Sequence, residues 1–405
     1  MRILKRHPRI FMVTVFGAGL GLALFVGALF THTSDTHESV ARSIVATCAD
    51  AAYRPSCYDE EIPKVMDNGY SMLEAFSITR IVQDLDPSYQ YCHVLGHELS
   101  AKETAKDPER WKDVIAKAPL GICSNGAIHG AFQERFRVDS MEGRDVREIE
   151  GELAGVCQAR DGWEPTGMGE ATCIHALGHL TMYVTGADIH DSLELCDRLV
   201  DGNPDNQDAE RQLCYDGAFM QIYQPLEPED FALIEGKEVE TPEEVNTFCS
   251  QFEGAKYGSC ISEGWPPFAE MLDDPSAIVD LCDRVDFNDW QHTRCLSGVF
   301  FLAMAGANLS TEWATSFCPN VRSPYESICF ANAAARLVET DNRNIAKALS
   351  VCEAAEATNS HKACYEKMLQ YATYVFTVES DGFYQICNGI PEPWKAACLH
   401  EVPRQ

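Results

Sequence analysis

Ala277-Ile278-Val279-Asp280-Leu281-Cys282, followed thirteen residues later by Cys295-Leu296-Ser297-Gly298 and an apolar run to Leu302, is the stretch that decides the fold. Before the first cysteine the apolar side chains fall at helical spacing. Between the cysteines lie turn formers: Asp286, Asn288 and Asp289. The unit reads as helix, Cys, loop, Cys, helix. Outward from it the same pairing recurs, as Cys157 and Cys173, Cys196 and Cys214, Cys249 and Cys260, Cys318 and Cys329, Cys352 and Cys364, Cys387 and Cys398. The second members of the last five pairs stand at 260, 295, 329, 364 and 398, a period of 34 or 35 residues. That is the period of stacked helix–turn–helix units. A lone helix pair cannot bury its apolar face, so neighbours must stack. A bridge across each short loop adds roughly 2–3 kcal/mol by restricting the unfolded chain. The expected fold is all-α, an α-solenoid of disulfide-bridged helical hairpins.

Composition bounds the function. The chain has 405 residues, 45% of them hydrophobic, enough for a large core. Its formal charge is −30, from 62 acidic and 32 basic residues. Such a surface repels phosphate backbones, so a nucleic-acid partner is excluded. Residues 1–9 are basic and form a cytoplasmic tail, and 10–30 are uncharged and mostly apolar. A helix of that length spans a hydrocarbon layer of ~30 Å, with its basic end inside the cell. A signal peptide cleaved near Val26-Gly27-Ala28 is the other reading, although its apolar core is usually shorter, roughly 7–15 residues. The expected arrangement is a single transmembrane anchor, a tether over 31–45, a His-rich helical domain over 46–225 and disulfide-bridged repeats over 226–405. The chain then faces the periplasm or cell exterior. Eighteen cysteines without a C-x-x-C agree with that side of the membrane. Cys92 and Cys123 either pair with each other or have other partners.

The period, the helix pairing and the single bridge per unit resemble tetratricopeptide and Sel1-like repeats, above all the disulfide-bridged Sel1-like proteins secreted by bacteria. The likeness covers about residues 150–405. It implies helical repeats and a binding surface, here for a cell-envelope protein partner, and implies nothing about histidines. The C-x-x-G-x-x-H-G text is also similar to that of anchored bacterial proteins of undefined function.

The chemistry lies in Cys92-His93-Val94-Leu95-Gly96-His97-Glu98 and its two echoes, Cys123-Ser124-Asn125-Gly126-Ala127-Ile128-His129-Gly130 and Cys173-Ile174-His175-Ala176-Leu177-Gly178-His179. Residues i and i+4 share a helix face, so each His-x-x-x-His pair points one way. Equivalent positions in later repeats carry Met220 and Phe301, as core. Stacked units would bring His93, His97, His129, His175 and His179 to one cleft as metal ligands. Neutral imidazole suits copper, iron or zinc. Glu98 and Glu134 are the candidate general bases or supporting carboxylates, and Tyr183 shares the face of His179. The glycines Gly96, Gly126, Gly130, Gly178, Gly217 and Gly298 are expected to allow close helix approach. Structural hydrogen bonding and haem ligation are the competing accounts of the histidines. No H-E-x-x-H or Glu-x-x-His occurs in these motifs. The function expected is a membrane-anchored protein with a poly-histidine metal centre, catalytic or metal-handling. The alternative is an envelope interaction scaffold with structural histidines.

Overall fold

A computed structural model describes residues 36–136, 146–200, 207–285 and 287–400. The anchor expected over 10–30 lies outside the described residues. Among those described, no helix is long and apolar enough to cross a membrane. The described residues are helical, with one isolated β-bridge between Arg160 and Trp163 and no strand.

The described residues divide into two compact units, one ending at Tyr89 and one beginning at Gln90. The boundary expected at 225/226 falls inside the second. The first unit contains α1 (36–47), α2 (Arg54–Glu61), α3 (Lys64–Asp67) and α4 (Met72–Leu85), with Cys48 bridged to Cys57. Its α4 starts at a reciprocal cap, in which Ser71 and Glu74 satisfy each other's backbone N–H. Tyr58 inside it donates to Asp86 at 2.6 Å.

The second unit runs α5 (His93–Ala105), α6 (Trp111–Lys117), α7 (Ala127–Arg135), α8 (Val146–Leu153), α9 (Gly167–Val184), α10 (Ile189–Leu199), α11 (Gln207–Tyr223) and α12 (Pro228–Leu233). It continues with α13 (Pro242–Cys249), α14 (Gly254–Glu263), α15 (Asp280–Asp283), α16 (Asp289–Gly306), α17 (Thr311–Phe317), α18 (Glu326–Thr340), α19 (Ile345–Ala354), α20 (His361–Val375), α21 (Asp381–Gly389) and α22 (Trp394–His400). Each bridge from Cys157 onward joins the pair expected from the spacing, at or near the end of one helix and inside the next. Cys92 pairs with Cys123, the connection that spacing left open.

The second helices of the pairs touch in series: α7, α9, α11, α14, α16, α18, α20. The series also returns on itself. Helix α20 packs against α9, and α18 against the turn at Cys123–Asn125. The Asn342 N–H donates to the Gly121 carbonyl at 3.0 Å. An open-ended repeat stack has only neighbour contacts, so the C-terminal helices here back the N-terminal ones directly. The C-terminal helices enclose a continuous core around Phe300, Phe330, Leu337, Met368 and Phe383, all essentially inaccessible to water, which Met168 of α9 joins.

The Cys92–Cys123 bridge closes the longest loop, with a sequence separation of 31, and ties the start of α5 to the turn that opens α7. Replacing both by alanine is expected to lower unfolding free energy by about 3–4 kcal/mol, read as a lower urea midpoint.

Candidate metal centre

Two helix pairs build the site, and glycine sets their distance. A Cβ added at Gly126 would sit 2.2 Å from the His93 carbonyl oxygen, and one at Gly130 2.0 Å from that of His97. In the second pair, a Cβ at Gly178 would lie 2.0 Å from the Cys214 carbonyl oxygen, and one at Gly217 2.0 Å from that of His175. Real Cβ atoms do not approach so closely, so α5 meets α7, and α9 meets α11, backbone to backbone. Gly298 differs from the expectation: it is exposed on α16 with nothing within 4 Å of an added Cβ.

The five imidazoles converge. His129 stands at the centre, its ring centroid 5.1 Å from His93, 5.0 Å from His97, 5.7 Å from His175 and 5.3 Å from His179. Ligand atoms of His93, His97 and His129 lie within 4.8 Å of one another, as do those of His129, His175 and His179. His93, His97 and His129 are 8%, 6% and 5% exposed, while His175 and His179 are half-buried and form the wetter side.

Four of the five rings are held from behind. His93 Nδ1 faces the Ser124 carbonyl at 3.3 Å, and His97 Nδ1 faces Glu227 Oε1 at 3.1 Å. His179 Nδ1 faces Gln221 Oε1 at 2.7 Å, and the backbone of Leu213 holds His175. The Ser124 carbonyl is aimed by three successive residues in the left-handed region, Cys123, Ser124 and Asn125, at φ 49°, 48° and 61°. Such backbone persists only where its surroundings impose it, and functional sites are where it concentrates. Here the disulfide at Cys123 and the Asn125 side chain, accepting from the Gly121 N–H at 2.7 Å, impose it.

Those outer contacts decide the tautomers. Carbonyl and carboxylate oxygens only accept, so the Nδ1 atoms of His93 and His97 carry hydrogen and their Nε2 atoms carry lone pairs. Yet the two Nε2 atoms are 3.1 Å apart. In the second pair His175 and His179 Nε2 are 3.2 Å apart. Two imidazoles at about 2.0–2.1 Å from a tetrahedral ion hold their nitrogens roughly 3.3 Å apart. A direct His–His hydrogen bond in the first pair would instead need one ring to carry both protons, which burial opposes at His93. Burial drives His93 well below the ordinary histidine range, with His97, His179 and Arg336 adding to it. Burial lowers His129 likewise, takes His175 down to about 3, and lowers His179. Most of these rings meet edge to face.

The carboxylates sort differently from the sequence reading. Glu98 is exposed on α5: it follows His97, and consecutive helical residues point about 100° apart. Glu134 is half-buried, five positions beyond His129 and so about 140° round the helix from it. The carboxylate against an imidazole is Glu227, which also accepts from Gln133 Nε2 at 3.3 Å. Behind it Asp230 accepts from the Leu226 and Glu227 N–H groups, both at 3.1 Å, and from Tyr183. Tyr183 therefore serves this outer layer, its phenol held firmly protonated by burial and by Asp230. Glu227 and Asp230 open the short helix α12. As text they look like a helix cap, 130 positions from His97, which is why motif reading passed over them. The other histidines lie apart; His292, for example, pairs with Asp283 at 2.6 Å. The chain matches no protein-family model, no curated protein and no solved structure.

Proposed function

We propose that this chain is a membrane-anchored, extracytoplasmic helical-repeat protein whose five-histidine cluster binds transition-metal ions, for catalysis or metal handling. One observation carries the reading: bare Nε2 lone pairs of His93 and His97 face each other at 3.1 Å while both Nδ1 atoms are spent on acceptors. Outer-layer acceptors of this kind orient metal-bound histidines and make them better donors. The all-nitrogen donor set suits copper, zinc or iron. The half-buried His175 and His179 are the side from which an ion or a substrate would enter. Nine disulfides fit an oxidising compartment, and the apolar segment 10–30 fits the anchor. The repeat period supports the likeness to secreted Sel1-like proteins.

Elemental analysis of the full-length chain, purified without a nickel column, is expected to show transition metal at one or more ions per chain. The pair His97→Ala and His179→Ala, which takes one ligand from each side, is expected to abolish it while helical circular dichroism persists. A metal-free wild-type chain that stays metal-free when incubated with copper, zinc or iron salts would end the proposal.

A further inference from the structure

We infer that the centre is dinuclear and that His129 bridges its two ions, one nitrogen to each. The inference rests on the metal-binding reading above and goes beyond it in number and connectivity. Among the described residues, neither ring nitrogen of His129 has a hydrogen-bond partner, although the residue is 5% exposed. A neutral imidazole buried in that way leaves both a donor and an acceptor unsatisfied, which is costly. The other four rings differ, each having one nitrogen anchored and one turned to a neighbouring ring. The anchored rings form two clamps, His93 with His97 and His175 with His179. His129 belongs to the three-histidine group of both clamps. A single ion on one clamp would use one nitrogen of His129 and leave the other stranded. Two ions, one per clamp, satisfy both. The ring proton of His129 then leaves to solvent, the two imidazole nitrogens forming one bond to each ion.

The repeat architecture supports this placing. The helix text His-x-x-Gly-His occurs twice, at His93–His97 and His175–His179, each against a glycine-bearing partner helix. At the position of His129 the second partner helix has Met220. The bridging ring is thus supplied once, by α7, and shared between two duplicated clamps.

The test uses the full-length chain, stripped of metal and titrated with Cu(II) alone. Two Cu(II) per chain are expected, with an electron paramagnetic resonance signal integrating to well under half of the copper bound, because an imidazolate bridge couples the two spins antiferromagnetically. In His129→Leu the bound copper is expected to become fully visible as isolated spins. One ion per chain, or two ions whose signal integrates to all the copper in the wild type, would overturn the bridge and leave the metal-binding reading standing. No bound copper in the wild type, with none of zinc or iron either, would overturn both. The wild-type measurement decides the matter even if the leucine variant fails to fold.

Discussion

Gly178→Ala is expected to destabilise the protein by roughly 3 kcal/mol or more and to abolish metal binding, although it removes no ligand. The new Cβ would meet the Cys214 carbonyl oxygen at 2.0 Å and the Ala218 backbone nitrogen at 2.8 Å. Both are backbone atoms of α11, so no side-chain rotation relieves the clash, and the helices must separate. Ordinary overpacking costs about 1–3 kcal/mol, and a collision of one helix with the backbone of another belongs at or beyond that upper end. Separation of α9 from α11 would move His179 away from Gln221, which anchors its ring at 2.7 Å. Gly298→Ala supplies the control. It stands in the exposed middle of α16 with free space around it, and alanine is the better helix former, so it should stabilise by about 0.5–1 kcal/mol. Urea midpoints and metal content of the two variants test the pair. Equal midpoints would show that the close approach is not holding the site together.

The second large effect is with pH. His93, His129, His175 and His179 all have folded pKa values below the ordinary 6.5, mainly through burial. Below 6.5 the unfolded chain takes up protons that the folded, metal-free chain refuses. The contribution of these groups is therefore complete above about pH 6.5 and is lost as pH falls toward 3, the value reached by His175. Each group accounts for about 1.4 kcal/mol per pH unit within that window. Buried carboxylates act in the opposite sense: burial raises Glu263 and Glu339, so they favour the folded state at low pH. The contribution of His129 is isolated by comparing the metal-free wild type with His129→Leu. From pH 7 to pH 5 the wild type should lose about 2 kcal/mol more than the variant, the product of 1.5 pH units below 6.5 and the slope above. Parallel losses in urea titrations at the two pH values would mean that His129 takes up protons in the folded state as readily as in the unfolded one.

How far the sequence could be read differs from feature to feature. The helix pairs and their bridges were legible because the information is local: two cysteines separated by a short loop, flanked by helical apolar spacing, have one convenient way to meet. The imidazole cluster was legible as a set, since His-x-x-x-His fixes a face and the repeat register aligns the faces. Its outer layer was not. Gln221 and Glu227 reach the histidines, and Asp230 backs Glu227, only because α11 and the start of α12 lie against the site, and nothing in a helix cap advertises what its carboxylate will touch. Glu98, adjacent to His97 in sequence, is the converse case, carried to the exposed side by helical rotation.

The covalent spacing of this chain by itself determined an all-helical, cysteine-stapled protein with five histidines in aligned positions, because period and turn chemistry act over a few residues. Only the tertiary structure decided that Cys92 joins Cys123, that α20 returns to α9, and that His129 lies between two opposed pairs with both nitrogens unclaimed. Those facts depend on which helices approach to backbone contact, and that is set by glycines whose partners are distant in sequence and meet only when the whole core packs.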